Sequence, residues 1–264
     1  MSGAGRPIVF LTDYGLLDEF VGVCHGVAAR IAPAARVIDL THSIPAHDVL
    51  RGALALGRAT PFMPEDAVFV AVVDPGVGSD RRAVAIEAGT GALLVGPDNG
   101  VLSLAWASLG GVVQAREVTS GTVRAARVSR TFHGRDVFVP AAAHLAVGFP
   151  LAEVGPELEP STLQSLDVPG PMVASGAIGA RVIGVDRFGN VQLNVEPSHL
   201  RSAGLGDTLN VSGRAVQLVG TFTDVPPGSL AAIVDSQNHV ALVVNRGNAA
   251  EMLALVEGAV LVLE

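Results

Sequence analysis

Cysteine occurs once in the 264-residue chain, at Cys24. A single thiol excludes an intrachain disulfide and points to a reducing compartment, so a cytoplasmic protein is expected. Aromatic residues make up only 4% of the chain, so the cores must be built from aliphatic side chains. Charged residues are few (16%), and the net charge of −8 comes without any basic tract. That balance argues against nucleic acid as a partner and does not oppose a cationic small substrate. Nearly half the residues are apolar (49%), yet no run approaches the roughly 18 residues of a membrane-spanning helix. No membrane association is expected, and the opening MSGAGRPIVFLTDYG has too short an apolar segment for a signal peptide. Neither a phosphate-cradling P-loop nor GxGxxG is present.

What is abundant is glycine, with 31 residues, and apolar runs that alternate with helical patterns. Residues 8–12 (IVFLT), 37–40 (VIDL) and 68–73 predict buried strands. Phe20, Val23, Cys24, Val27, Ala28 and Ile31 recur at helical spacing, predicting a helix over 18–32, and a second helix begins near Val49. Residues 84–86 and 93–95 add strands, and 101–109 and 136–147 read as helices. Alternating strands and helices predict an α/β domain with a mainly parallel sheet over residues 1–160. Residues 161–175 lie in a Pro-, Gly- and Ser-rich stretch without period, which reads as a linker. Short β-like runs then follow at 180–185, 190–195, 208–211, 215–219, 231–234, 240–244 and 259–263. They predict an all-β, barrel-like domain over 176–264.

In parallel sheets ligands bind beyond the carboxyl ends of the strands. Three predicted strands run into polar turns there: Thr12-Asp13-Tyr14-Gly15; Asp39 followed by Thr41-His42-Ser43 and His47-Asp48; and Asp74-Pro75-Gly76. Any one of these is ordinary turn chemistry. The three together predict a pocket. In RTFHGRD (130–136), Asp136 reads as a helix N-cap and His133, with a reference pKa of about 6.5, as a proton-handling group or a surface histidine. His42, His47 and Asp48 carry metal-donor atoms, but their spacing matches no metal signature, and no metal is expected. In VDRFGNVQLN (185–194) a hairpin loop explains the Asp and Gly; Phe188 suits either a ligand face or burial beneath the loop.

The ordered set FLTDYG, DLTHSIPAHDV, VVDPGVGSDRR, GPDNG, TFHGRDVF, AAHLAVGFPLAEVG, DRFGNVQLN and NRGNAAEML resembles the S-adenosylmethionine (SAM) hydrolases. These are also called SAM hydroxide adenosyltransferases and are related to fluorinase and chlorinase. The resemblance runs over nearly the whole chain. It implies an α/β domain followed by a β-barrel, assembled as a homotrimer whose substrate lies between one subunit's first domain and a neighbour's second. It implies that Asp74, Arg81 and His133 surround an attacking water, and that SAM is a substrate yielding adenosine and L-methionine, with no cofactor. Asp13 is expected at the ribose hydroxyls, Asp186 at the methionine ammonium, Phe188 stacked on adenine with Asn190 beside it, and Ser236, Asn248 and Ala249 in late loops that contact carboxylate and adenine. His47 is expected as a pocket wall, and Gln237 stands where some relatives have an arginine for the carboxylate. The halide-using relatives carry Tyr in place of Asp74 and Thr in place of Val77, and the fluorinase has Tyr-Ser in place of His133-Gly134. This chain therefore sides with water as nucleophile. Halide transfer and SAM binding without turnover are the competing expectations.

The chemistry suits the residues. A sulfonium is already a good leaving group, so the demands are alignment, a dry site and a proton acceptor. Asp74 at a strand end accepts a hydrogen bond from water, and Arg81, seven positions on, returns to hold the carboxylate. Arg itself is no base, because its pKa exceeds about 12. Asp74 and His133 are the two groups able to take the proton.

Overall fold

The structure is a computed structural model and describes residues 5–264. Contacts divide the chain into two compact units, one ending at Leu166 and the other starting at Asp167.

The first unit is built on a seven-stranded sheet. In chain order its strands are β1 (Ile8–Thr12), β2 (Val37–Thr41), β3 (Val68–Val72), β4 (Ala83–Ala88), β5 (Leu93–Pro97), β6 (Val112–Glu117) and β7 (Glu157–Leu158). The spatial order is β2-β1-β3-β5-β4-β6-β7. The β2, β1, β3 and β5 strands are parallel, with Ile8 opposite both Val37 and Val68. β4 runs antiparallel to both β5 and β6, so β6 points the same way as the parallel set. Strands β1, β3 and β5 are buried at every position, as continuous apolar runs in a sheet covered on both faces must be.

Four helices supply the covers: α1 (Phe20–Ile31), α2 (Val49–Ala59), α3 (Ser103–Ser108) and α4 (Val139–Ala146). Alternate strand residues feed two cores. Ile8, Phe10, Val68, Val70 and Val72 pack with Val21, Cys24 and Ala28 of α1 and with α4. Val9, Leu11, Phe69 and Ala71 pack with Leu56 of α2 and Ala105 of α3. This is the period of two in a strand meeting the 3.6 period of a helix. The helix expected over 101–109 starts later, at Ser103, because the Asn99 side chain accepts from Val101 N (3.1 Å) and holds a turn before it. The helix expected over 136–147 is preceded by a widened π turn, Gly134–Phe138, and its regular part begins at Val139.

The second unit closes into a barrel. Its strands are β8 (Met172–Ala174), β9 (Ala177–Val185), β10 (Val191–Leu193), β11 (Thr208–Val211), β12 (Arg214–Val219), β13 (Leu230–Val234), β14 (Val240–Val244) and β15 (Val260–Leu263). The order β10-β14-β13-β12-β11-β15-β9 is closed by pairing of β9 with β10, giving a seven-strand barrel with β8 added outside it on β9. All these pairs are antiparallel except β12 with β13. Leu261 and Leu263 point inward while Val260 and Val262 are exposed, the alternation a barrel wall requires. Two short helices that periodicity did not announce complete the unit: α5 (Pro197–Ala203) and α6 (Ala249–Leu253). Pro197 and a reciprocal Glu196–His199 cap begin α5. β8 falls within the stretch expected as a linker. Among the described residues no helix is long and apolar enough to cross a membrane.

Candidate active site

The site in the first unit starts where β3 ends. Beyond Val72 the backbone passes Val73, reaches Asp74 and turns through Pro75-Gly76, with Val77 N donating to Asp74 O (3.2 Å) and Ser79 N to Gly76 O (3.1 Å). Gly78 has φ +79, and a Cβ there would meet Arg130 O at 2.5 Å, so only glycine fits this corner. The turn returns Arg81 onto the carboxylate. Its Nε donates to Asp74 Oδ1 (3.1 Å) and its Nη2 to Asp74 Oδ2 (2.5 Å), a bidentate pair. The two side chains are only 8% and 5% exposed. Nη2 also donates to His133 Nδ1 (2.9 Å), Nη1 to Arg82 O (3.2 Å), and the guanidinium lies 5.2 Å from the centre of the Phe138 ring.

Arg81 is always charged, so the His133 nitrogen it touches must offer a lone pair. Burial and the neighbouring Arg81 charge push the His133 imidazolium below its ordinary pKa, so the ring stays neutral further into acid. Asp136 is not the helix N-cap: His133 holds that place. Asp136 is buried inside the π turn, where its carboxylate takes Ser129 N (2.8 Å) and two bonds from Arg135. The wider turn draws the carboxylate in to close its own loop.

Asp74 and His133 line a pocket of ≈ 270 Å³ together with Asp13, Tyr14, Phe20, Ala46, His47 and Val77. Asp13 Oδ2 accepts from His47 N (2.9 Å), which leaves the other oxygen for a ligand. His47 has φ +68, a conformation disfavoured for a residue with a Cβ, and strain of this kind is found at functional sites. Burial, with Cys24, Asp13 and Asp74 adding to it, pushes the Tyr14 phenol above its ordinary pKa, so it remains a neutral O–H. Gly134 lies against that phenol: a Cβ there would meet Tyr14 Oη at 2.2 Å. Tyr14, Phe20 and Phe132 pack edge to face at 5.2–6.0 Å, and Tyr14 and Phe20 give the pocket an aromatic side. Phe20 read as helix core in the sequence; its exposure of 38% and its place in the pocket had no sequence signal.

The second unit carries a separate pocket of ≈ 670 Å³ lined by Phe188, Asn190, Phe222, Val244, Arg246, Gly247, Asn248 and Glu251. Phe188 is 67% exposed, which excludes burial beneath its loop. Asp186 folds that loop: Oδ1 accepts from Phe188 N (2.8 Å) and Asn190 N (2.9 Å), and Oδ2 from Asn190 Nδ2 (2.7 Å). Gly189 packs against Asn248, whose Cγ would lie 2.1 Å from an added Cβ. Asn248 caps α6 by accepting from Glu251 N (3.0 Å), and Ala249 is buried behind it. Ser236 stands apart, in the turn between β13 and β14, at the end of β14 opposite Asn248. Asp235 braces that turn by accepting from Gln237 N (2.8 Å) and His239 N (3.0 Å). Phe222 and Arg246 join the pocket without having been singled out in the sequence.

The donor set weighed for a metal does not assemble. Asp48 caps α2 by accepting from Arg51 N (2.9 Å), while His47 faces the pocket. Cys24 is buried, and burial pushes its thiol up to about 12, so it stays protonated.

A buried carboxylate held by a guanidinium that also binds an imidazole, at the carboxyl edge of a largely parallel sheet, defines an enzyme-like centre able to orient water and receive a proton. Residues 8–155 match the N-terminal domain and residues 180–262 the C-terminal domain of SAM hydroxide adenosyltransferase. The chain belongs to this family. It is 53% identical over 251 residues to the (R)-S-adenosyl-L-methionine hydrolase of Salinispora arenicola, covering 95% of each chain. It is 43% identical to the enzyme of the same name from Thermus thermophilus, covering 96% of this chain and 97% of that one. A fluorinase of Actinoplanes sp. is further away, at 31% identity over 93% of each chain. Among solved structures, an uncharacterised conserved protein of Thermotoga maritima superposes with a TM-score of 0.89 at 35% identity, over 97% of this chain and 99% of that one.

Proposed function

We propose that this chain hydrolyses S-adenosyl-L-methionine to adenosine and L-methionine. The observation that carries the reading is the buried Asp74–Arg81 pair, bonded to His133 and opening on a pocket that Val77, which has no hydroxyl for a halide, also lines. The names of the hydrolase relatives, at 43–53% identity, support it. Water attacks the ribose 5′ carbon opposite sulfur. The C5′–O bond forms as C5′–S breaks, the electron pair stays on sulfur, and methionine leaves as a neutral thioether. The proton released by the attacking water passes to Asp74. His133 is the poorer acceptor, since its Nδ1 already receives an N–H from Arg81. Arg81 stands behind both groups and fixes them; it is a positioning residue.

Asp13 holds the ribose hydroxyls and His47 walls the pocket. Phe188 stacks on adenine beside Asn190, with Asn248 and Ala249 closing that end. Asp186 meets the methionine ammonium, and Ser236 with Gln237 the carboxylate. No cofactor enters this scheme. The first-unit pocket lies just under the roughly 300–1,000 Å³ usual for small-molecule sites, and the second half of the contacts belongs to a different unit. A cytoplasmic homotrimer, with one subunit's first unit completed by a neighbour's second, accounts for this division.

Reaction of the pure protein in ¹⁸O-labelled water, with and without chloride, tests the function. The label is expected on the 5′ oxygen of adenosine. 5′-Chloroadenosine as the main product returns the halide reading, and bound SAM without turnover returns the binding-module reading. Co-assembly of Asp74→Ala and Asp186→Ala chains, each inactive alone, tests the shared site: some activity is expected to return. A fully active monomer contradicts it.

A further inference from the structure

One polar cluster takes no part in the scheme above. His25 on α1, Asp39 on β2 and His42 in the turn after β2 bring three donor atoms within 4.8 Å of one another. Both rings aim Nε2 at the same oxygen, Asp39 Oδ1, at 2.8 Å from His25 and 3.0 Å from His42. None of the three lines the Asp74 pocket.

From this geometry we infer a binding site for one divalent first-row transition-metal ion, of the Zn²⁺ type, held by His25 Nε2, Asp39 and His42 Nε2. Tetrahedral coordination at about 2.0–2.2 Å per ligand sets the donors about 3.3–3.5 Å apart. The two measured separations need to open by only a few tenths of an ångström to reach that spacing. Imidazole and carboxylate donors suit zinc, and three protein ligands leave a fourth position for water.

The surroundings fit as well. His42 is 4% exposed, and its other nitrogen, Nδ1, lies 2.9 Å from Thr12 Oγ1. The tautomer that donates this N–H to Thr12 leaves Nε2 free for the ion, and a ligating histidine is commonly oriented by such a second bond. The Phe10 ring, 4.9 Å from the imidazole and edge to face with it, fixes the plane. In the metal-free chain the Nε2–H groups of His25 and His42 donate to Asp39 Oδ1; binding of the ion displaces the proton from each Nε2 and puts the metal in its place. His25 and Asp39 are 37% and 43% exposed, which leaves an entry path.

The ion ties α1 to β2. Through His42 and Thr12 it also reaches the loop carrying Asp13, since Thr12 Oγ1 accepts from Tyr14 N (3.1 Å). Its role is to hold that loop and not to act on substrate.

The test is titration of the chelator-treated full-length protein with Zn²⁺ by calorimetry and with Co²⁺ by visible absorption. One equivalent per chain is expected, with the intense d–d bands of four-coordinate cobalt. His25→Gln, at a partly exposed position, is expected to weaken binding at least tenfold and erase those bands. Asp39→Asn is expected to weaken it similarly. Absence of saturable one-to-one binding in the wild type overturns the assignment and leaves a hydrogen-bonded His–Asp–His cluster. Equal binding by wild type and His25→Gln overturns it too.

Discussion

Replacing Arg81 by Met removes the partner of a carboxylate that is 5% exposed. Four bonds go at once: two to Asp74, one to His133 and one to Arg82 O. Methionine keeps most of the stem volume over Phe138, so the loss is electrostatic and not a cavity. Breaking a buried pair from one side costs about 3–5 kcal/mol, because the remaining charge is stranded. Asp74→Asn strands the arginine instead. The double variant Asp74→Asn/Arg81→Met leaves no charge behind. Its cost is expected to fall below the sum of the two singles by about 2–3 kcal/mol. Trp106, the one tryptophan of the chain, lies on α3 in the first unit and reports that unit's unfolding alone. Urea titration followed by its fluorescence, at one fixed protein concentration, gives all four stabilities. Additivity within about 0.5 kcal/mol refutes a coupled buried pair, as does an Arg81→Met cost under about 1 kcal/mol.

Asp74→Asn keeps the shape and one accepting oxygen but removes the charge; kcat is expected to fall about 10²–10⁴-fold with SAM affinity within a few-fold, whereas Asp13→Ala is expected to weaken SAM binding by calorimetry. Normal kcat in Asp74→Asn would return its turn to a purely structural role. Because His133 is held below its ordinary pKa, activity is expected to persist as pH falls past about 6.5 and to be lost lower, as the ring protonates against Arg81; an acid limb above that value contradicts the geometry. Gly134→Ala drives a Cβ into the Tyr14 hydroxyl and is expected to abolish most activity, with partial rescue by Tyr14→Phe in the same chain. No rescue would show that the obstruction lies elsewhere.

Much of this molecule was legible in its sequence, and the gaps have physical causes. Strands β1 and β3 are short apolar runs that end abruptly in Asp-containing turns, and such boundaries survive any packing. The seven barrel strands were legible as short apolar runs separated by turn residues. The α5 and α6 helices were not, because at seven and five residues they hold too few turns to display a period; caps and a proline start them. Asp136 looked like a cap from its place before an apolar run, but cap chemistry depends on where the chain turns, and the π turn moved that point back to His133. Asp74, Arg81 and His133 were named through family resemblance. That one Arg81 nitrogen serves both partners depends on three-dimensional geometry that spacing does not carry. The His25–Asp39–His42 cluster joins residues 14 and 3 positions apart through the packing of a helix on an edge strand; the sequence grouped His42 with His47 and Asp48 instead, found no metal spacing there and raised no expectation of a metal.

Arg81 and Arg82 are neighbours in the chain and face opposite ways. Arg82 grips Asp98 Oδ2 (2.8 Å from Nε) and Thr162 O (2.5 Å from Nη2), while Asp98 Oδ1 takes Gln164 N (2.8 Å). The segment by which the chain leaves the first unit is thus moored one peptide bond from the residue that orders Asp74 and His133. Tension on that exit strap, whether from a cut at residue 160, a rigid insertion or a pull on the barrel, loads the same short stretch of backbone that aims the guanidinium. A first unit expressed by itself has to run through Leu166 to keep its mooring, and one that stops short gives up the contacts that hold Arg82, Asp98 and Ser103 in place.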